Sequence, residues 1–125
     1  MSRVGAGLTL ALLTGCGAGA PSPPPAAGPP VSELRVGLSE YRLQLSAGTL
    51  APGTVEVSVT NTGSARHDLQ LVQAGAVLGA SRVLSLGEQQ SLALQVAAGA
   101  PISLRCTLPG HAEAGMTGTL AVAPG

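Results

Sequence analysis

The stretch TVEVSVT, residues 54–60, alternates apolar and polar side chains and places its three valines on one face. Alternation over a short segment is typical of a strand with one buried face. No segment predicts a long amphipathic helix, although 74–84 is ambiguous and is compatible with a short helical turn. The sequence therefore predicts an all-β fold, an antiparallel two-sheet Greek-key β-sandwich. The alternating pattern recurs, with turn residues between the segments, in 41–45, 67–72, 91–96, 102–106 and 117–122.

The composition limits both the interior and the surface of this domain. Lysine, phenylalanine and tryptophan are absent, and Tyr41 is the only tyrosine in 125 residues. We therefore expect a core of Leu, Val, Ile and Ala. The formal net charge is zero and there is no basic run, so the composition argues against binding to nucleic acid.

The N-terminus predicts export and a lipid anchor. An apolar run of about ten residues follows Arg3; it is too short for a bilayer core, which needs about 20, and is typical of a signal peptide. The end of this run, LTGC (13–16), resembles the bacterial lipoprotein cleavage box, whose cysteine becomes the acylated first residue. We expect residues 1–15 to be the lipoprotein signal peptide and Cys16 to be lipidated. The protein would then be held at the cell membrane, facing the periplasm or the cell exterior. An ordinary secretory signal with an unrelated cysteine is the alternative.

A tether and a single domain are expected after the signal. Residues 16–31 consist almost entirely of Gly, Ala and Pro, a composition that favours an extended, semi-rigid spacer. The strand pattern occupies the remainder of the chain. We expect residues 32–125 to form the folded domain.

Alternation also predicts that two reactive side chains point inward. His67 lies on the apolar face of the strand 67–72, and Cys106 lies on the apolar face at the end of 102–106. Either residue alone would more often be a packed core side chain than a ligand. Whether the two residues are ligands of one site depends on whether both lie at the same end of the sandwich.

The loop CTLPGHAEAGM, residues 106–116 and here termed the ligand loop, adds two more donors, His111 and Met116. Both histidines of the chain belong to the resulting set, as do the only cysteine and the only methionine outside residues 1–16. Two imidazoles, a thiolate and a weak axial thioether form the arrangement of electron-transfer copper sites. We predict one copper ion, cycling between Cu(I) and Cu(II), bound by His67, Cys106, His111 and Met116.

This pattern resembles that of the cupredoxins, the plastocyanin and azurin superfamily of blue copper proteins. The resemblance rests on Asn61-Thr62-Gly63, on His67-Asp68 and on the block 106–120, and it covers residues 34–122. The spacing of the ligand loop is closer to rusticyanin-like bacterial members than to plant plastocyanin. The resemblance implies that His67, Cys106 and His111 are the strong equatorial ligands and that Met116 is the weak axial one.

Three positions depart from the pattern of that family. Asp68 stands where the family commonly has an asparagine that links the two ligand-bearing loops by hydrogen bonds. In this chain the corresponding link would join Asp68 to Thr107. A carboxylate at this position is expected to lower the reduction potential. Leu104 and Arg105 precede the cysteine where the family usually has aromatic residues.

Together these features predict a mononuclear type 1 copper protein that transfers single electrons and is not an enzyme. Four protein ligands leave no open metal position for a substrate. The expected partners are a cytochrome or a terminal oxidase or reductase, met by a monomeric carrier through an apolar patch near His111.

Four other interpretations stay open. A copper chaperone or storage lipoprotein would use the same ligands without a redox role. A zinc site would use the cysteine and histidines, although a thioether is a poor zinc donor. A structural lipoprotein would bind no metal. An enzyme with a nucleophilic Cys106 would need a base, and neither Asp68 nor Glu113 forms an evident triad with it.

Overall fold

A computed structural model describes residues 19–25 and 28–125. The predicted signal peptide and Cys16 lie outside these residues. In the described part of the chain no helix could span a membrane. The strands in these ranges are β1 (Glu33–Ser39), β2 (Arg42–Leu45), β3 (Thr49–Leu50), β4 (Gly53–Asn61), β5 (Gln70–Gln73), β6 (Ala76–Ala80), β7 (Gln89–Val96), β8 (Ile102–Arg105) and β9 (Thr117–Val122).

The strands form two sheets, with the orders β2-β1-β4-β7 and β3-β9-β8-β5-β6. The predicted all-β, two-sheet architecture is confirmed, but the prediction of purely antiparallel sheets is wrong. β1 runs parallel to β4, and β3 runs parallel to β9. Between β2 and β4 the chain contributes β3 to the second sheet, and β4 returns beside β1 in the same direction. Alternation could not reveal this because it reports the face of a side chain and not the direction of the neighbouring strand.

The core lies between the sheets and is aliphatic. Val55, Val57 and Val59 of β4 are fully buried, as the alternation predicts. Leucines from both sheets, Ile102 and Met116 pack around them. Alanine contributes less than expected: no described alanine is fully buried, and Ala47 packs only at the margin of the core.

Segment 74–84 contains strand β6 and not a turn of helix. Ala74 and Gly75, with φ of 48° and 80°, form a two-residue turn between Gln73 and Ala76, which are paired across the hairpin. Two successive residues with positive φ suit the twist of a tight hairpin, and this geometry directs β6 back along β5.

The described part of the predicted tether, residues 19–25, lies against the domain. Ser22 is 8% exposed; its hydroxyl accepts the Leu43 N–H at 2.7 Å and donates to the Gly115 carbonyl at 3.2 Å. The boundary between tether and domain at residue 32 stays a prediction. Residues 19–25 nevertheless contact the ligand loop directly.

Candidate metal centre

Asn61 fixes the loop that leads to His67. Its side-chain amide donates to the carbonyls of Ala65 and Leu84, both at 2.8 Å, and its side-chain oxygen accepts the Gly63 N–H at 2.9 Å. The backbone of His67 pairs with that of Leu84 in an isolated bridge. Asn61 is fully buried, and both its side-chain amide and its side-chain oxygen are hydrogen-bonded. The backbone that leads to His67 is therefore held rigidly.

Backbone hydrogen bonds also shape the ligand loop. Pro109 and Gly110 occupy the centre of a turn that the His111 N–H closes, and Gly110 has the positive φ, 80°, that a type II turn requires. Further along, the Met116 N–H donates to the His111 carbonyl, and the Cys106 N–H donates to the Met116 carbonyl, both at 3.1 Å. These bonds draw the two ends of the loop and its histidine together.

Three of the predicted ligands meet in one cluster. The Nδ1 atoms of His67 and His111 are 3.1 Å apart, and Cys106 Sγ lies 3.5 Å from His111 Nδ1. The ligand atoms of the three residues all lie within 4.8 Å of one another. His67 and Cys106 are buried, as the alternation predicts, whereas His111 is partly exposed.

Met116 adjoins this cluster and is fully buried. Its backbone bonds to both Cys106 and His111 place it directly beside two of the three clustered residues. The residue predicted as the axial ligand is therefore buried and adjoins the cluster through its backbone.

Asp68 connects the two ligand-bearing loops. Its Oδ1 accepts the Thr107 N–H at 2.6 Å, and its Oδ2 accepts the Thr107 hydroxyl. Asp68 follows His67, and Thr107 follows Cys106. The hydrogen bonds between Asp68 and Thr107 therefore fix the distance between His67 and Cys106. Asp68 is 8% exposed whereas Thr107 is exposed, so the hydrogen bonds are partly shielded from water.

Two residues that the sequence analysis did not connect to the site also contact it. Oε1 of Glu40 lies 3.3 Å from Nε2 of His67, and the Tyr41 ring meets the His111 ring edge to face at 5.8 Å between centroids. Glu40 is 27 residues from His67 in the sequence. No motif joins the two, and the contact arises only from the position of the β1–β2 turn.

The donor set fits copper. Metal bonds of about 2.0 Å to nitrogen and 2.3 Å to sulfur separate neighbouring ligand atoms by about 3 to 4 Å, which is the range of the N–N and N–S distances here. Burial raises the pKa of the Cys106 thiol, so metal binding would displace its proton. His67, Cys106 and His111 would hold the ion, with Met116 beside it, and mixed imidazole and sulfur donors suit copper.

The same features do not suit a nucleophilic enzyme. Reactive cysteines are accessible and have a lowered pKa. Cys106 is 1% exposed, and burial raises its pKa.

No family model and no curated protein matches the sequence. Solved structures do match, at identities that establish the fold. Reduced auracyanin from Roseiflexus castenholzii is 18% identical, with a TM-score of 0.66 over 77% of this chain and 100% of its own. Auracyanin A, a "blue" copper protein from Chloroflexus aurantiacus, is 19% identical, with a TM-score of 0.57 over 75% and 99%. Rusticyanin from Thiobacillus ferrooxidans is 19% identical, with a TM-score of 0.56 over 74% and 78%.

Two multicopper oxidases match as well, and this chain covers less than a third of their length. The auracyanins, by contrast, are matched over nearly their whole length. The clustered side chains are those of His67, Cys106 and His111, and Met116 adjoins them. This donor set is that of a blue copper site, and the two mixed sheets around an aliphatic core identify the chain as a protein of the cupredoxin fold.

Proposed function

We propose that this protein binds one copper ion through His67, Cys106, His111 and Met116 and transfers single electrons. The observation that carries the proposal is the convergence of one ring nitrogen from each histidine and the Cys106 Sγ within 4.8 Å of one another. Bound copper supplies the one-electron Cu(II)/Cu(I) couple. Support comes from similar structures of the same fold, one of which is described as a "blue" copper protein.

The residues suit this role because they are held in place before any metal arrives. Asn61 secures the approach to His67, and Asp68 links the two ligand-bearing loops through Thr107. A rigid donor set changes little between oxidation states, which keeps the reorganisation on electron transfer small. Four protein donors also leave no open position for a substrate, so we propose a carrier and not an enzyme.

His111 is the proposed edge for electron exchange. It is the partly exposed member of the cluster, whereas His67, Cys106 and Met116 are buried. A partner that docks over the turn at Pro109 and Gly110 would approach the metal through the His111 ring. We propose a cytochrome, or a terminal oxidase or reductase, as that partner, and a monomeric carrier.

We further propose that the protein is exported and anchored to the cell membrane through a lipid on Cys16. The support is the LTGC box that follows a short apolar run. The experiment is membrane fractionation of the natural chain and of Cys16→Ala. The natural chain should sediment with membranes and the variant should become soluble; a variant that remains wholly with membranes would contradict the anchor.

Electrochemistry distinguishes a carrier from a copper store. We would use a soluble form that begins at Gly17, because residues 19–25 contact the ligand loop. Loaded with copper, it should give a reversible one-electron wave and exchange electrons rapidly with a soluble cytochrome. Slow or irreversible exchange, with copper retained, would instead indicate storage or delivery of the metal.

A further inference from the structure

The turn between β1 and β2 touches both histidine rings of the cluster. Ser39 and Arg42 are paired across the hairpin, so Glu40 and Tyr41 alone form the turn. Tyr41 has φ 59°, the left-handed backbone conformation, at the second of the two turn positions. Consequently the carboxylate of Glu40 lies on His67 while the ring of Tyr41 lies against His111.

Glu40 is fixed at this position by the backbone that precedes His67. Its Oε1 accepts the N–H groups of Ser64 at 2.6 Å and Ala65 at 2.7 Å. Two backbone N–H groups that donate to one carboxyl oxygen favour the ionised side chain, so Glu40 is held there as a carboxylate. Gly63 leaves space for it, because a Cβ there would lie 2.5 Å from Oε1.

An ionised carboxylate can only accept hydrogen bonds. The Nε2 atom of His67, 3.3 Å from Glu40 Oε1, must therefore bear a proton. In the neutral ring this leaves Nδ1, the atom that faces His111, with a free lone pair. Carboxylates hydrogen-bonded to ligand histidines orient the ring and strengthen it as a donor in other metal sites.

We propose that Glu40 is a positioning residue of the metal centre, which holds His67 with Nδ1 toward the ligand cluster and lowers the reduction potential of the bound copper. The second half of this proposal rests on the proposed function. The negative charge of Glu40, beside the ligand His67, stabilises the more positive, oxidised site relative to the reduced one.

The first test needs no metal. In the metal-free protein that begins at Gly17, ¹⁵N NMR at neutral pH should show Nε2 of His67 as a protonated nitrogen. Glu40→Gln preserves the acceptor oxygen and should give the same result. Glu40→Met removes the acceptor, and a population protonated at Nδ1 should appear. Nε2 without a proton in the natural chain, or identical spectra for Glu40→Met, would overturn the positioning role.

The second test measures the effect of charge on the copper-loaded protein. Glu40→Gln should raise the reduction potential enough to change the Cu(II)/Cu(I) ratio about tenfold at fixed potential, which is about 59 mV for one electron. Glu56→Gln is the matched control, because it removes the same charge from an exposed position within β4. Equal potentials in the two variants would overturn the electrostatic role. A chain that takes up no copper would overturn the proposed function instead, and the NMR test would still decide how Glu40 acts on the ring.

Discussion

Asp68 joins the two ligand-bearing loops through both of its carboxylate oxygens, and each bond ends on Thr107. Asp68→Asn would preserve the length of this link while removing the charge. We therefore expect a higher reduction potential with little change in copper affinity, measured by voltammetry and by competition with a copper chelator. Asp68→Ala breaks the link and serves as the comparison. A potential in Asp68→Asn equal to that of the natural protein would show that the charge is fully screened.

Met116 provides a second prediction at this scale. Leucine has a similar volume and is apolar, so Met116→Leu should reduce the stability of the fold by less than about 1.5 kcal/mol. Loss of the thioether removes a weak donor to the oxidised ion, and the reduction potential should rise while the colour persists. Loss of all copper binding in this variant would mean that Met116 is a principal ligand.

Most of the cluster could be predicted because the chain contains so few donors of this kind. With two histidines and a single cysteine and methionine outside residues 1–16, composition and loop spacing together point to one set. The contact of Glu40 with His67 could not be predicted in this way. Glutamate is common on surfaces, and only the placement of a hairpin turn brings this one to the ring.

The sequence of a strand predicts which of its side chains are buried, but it predicts little about the identity and direction of the neighbouring strands. The alternation in β4 correctly predicts which three valines are buried, yet it gave no sign that β4 runs parallel to β1. The short strand β3 was not predicted, since two residues cannot display a period. β6 was ambiguous because its sequence, AVLGA, is apolar without alternation, and an edge strand packed on one partner requires no strict pattern.

The segment 19–25 is the element whose composition was most misleading. Gly, Ala and Pro predict a solvated spacer, but the buried hydroxyl of Ser22 bonds to the backbone of both Leu43 and Gly115. Ser22→Ala should therefore reduce the free energy of unfolding by about 1 to 3 kcal/mol, since it leaves buried groups without partners. Denaturant unfolding would measure this, with the exposed Ser32→Ala as control. Equal stabilities for the two variants would mean that the segment does not remain docked in solution.

The whole molecule has almost no net charge. Without Arg3 of the predicted signal peptide, five arginines stand against six acidic residues. Long-range steering of a charged partner is weak for such a surface, so docking should depend on contacts near His111. Electron exchange with a soluble cytochrome should then change little between low and high ionic strength in stopped-flow experiments. A steep salt dependence would indicate a local charged patch that directs the encounter.

The central claim is that Cys106 and the two histidines bind one copper ion together. Its most direct measurement is the visible and electron paramagnetic resonance spectra of the form that begins at Gly17, after addition of one equivalent of Cu(II). We predict an intense charge-transfer band from thiolate to copper and a narrow copper hyperfine splitting, both absent in Cys106→Ser. A faint spectrum with the wide splitting of tetragonal copper, unchanged in Cys106→Ser, would contradict the claim.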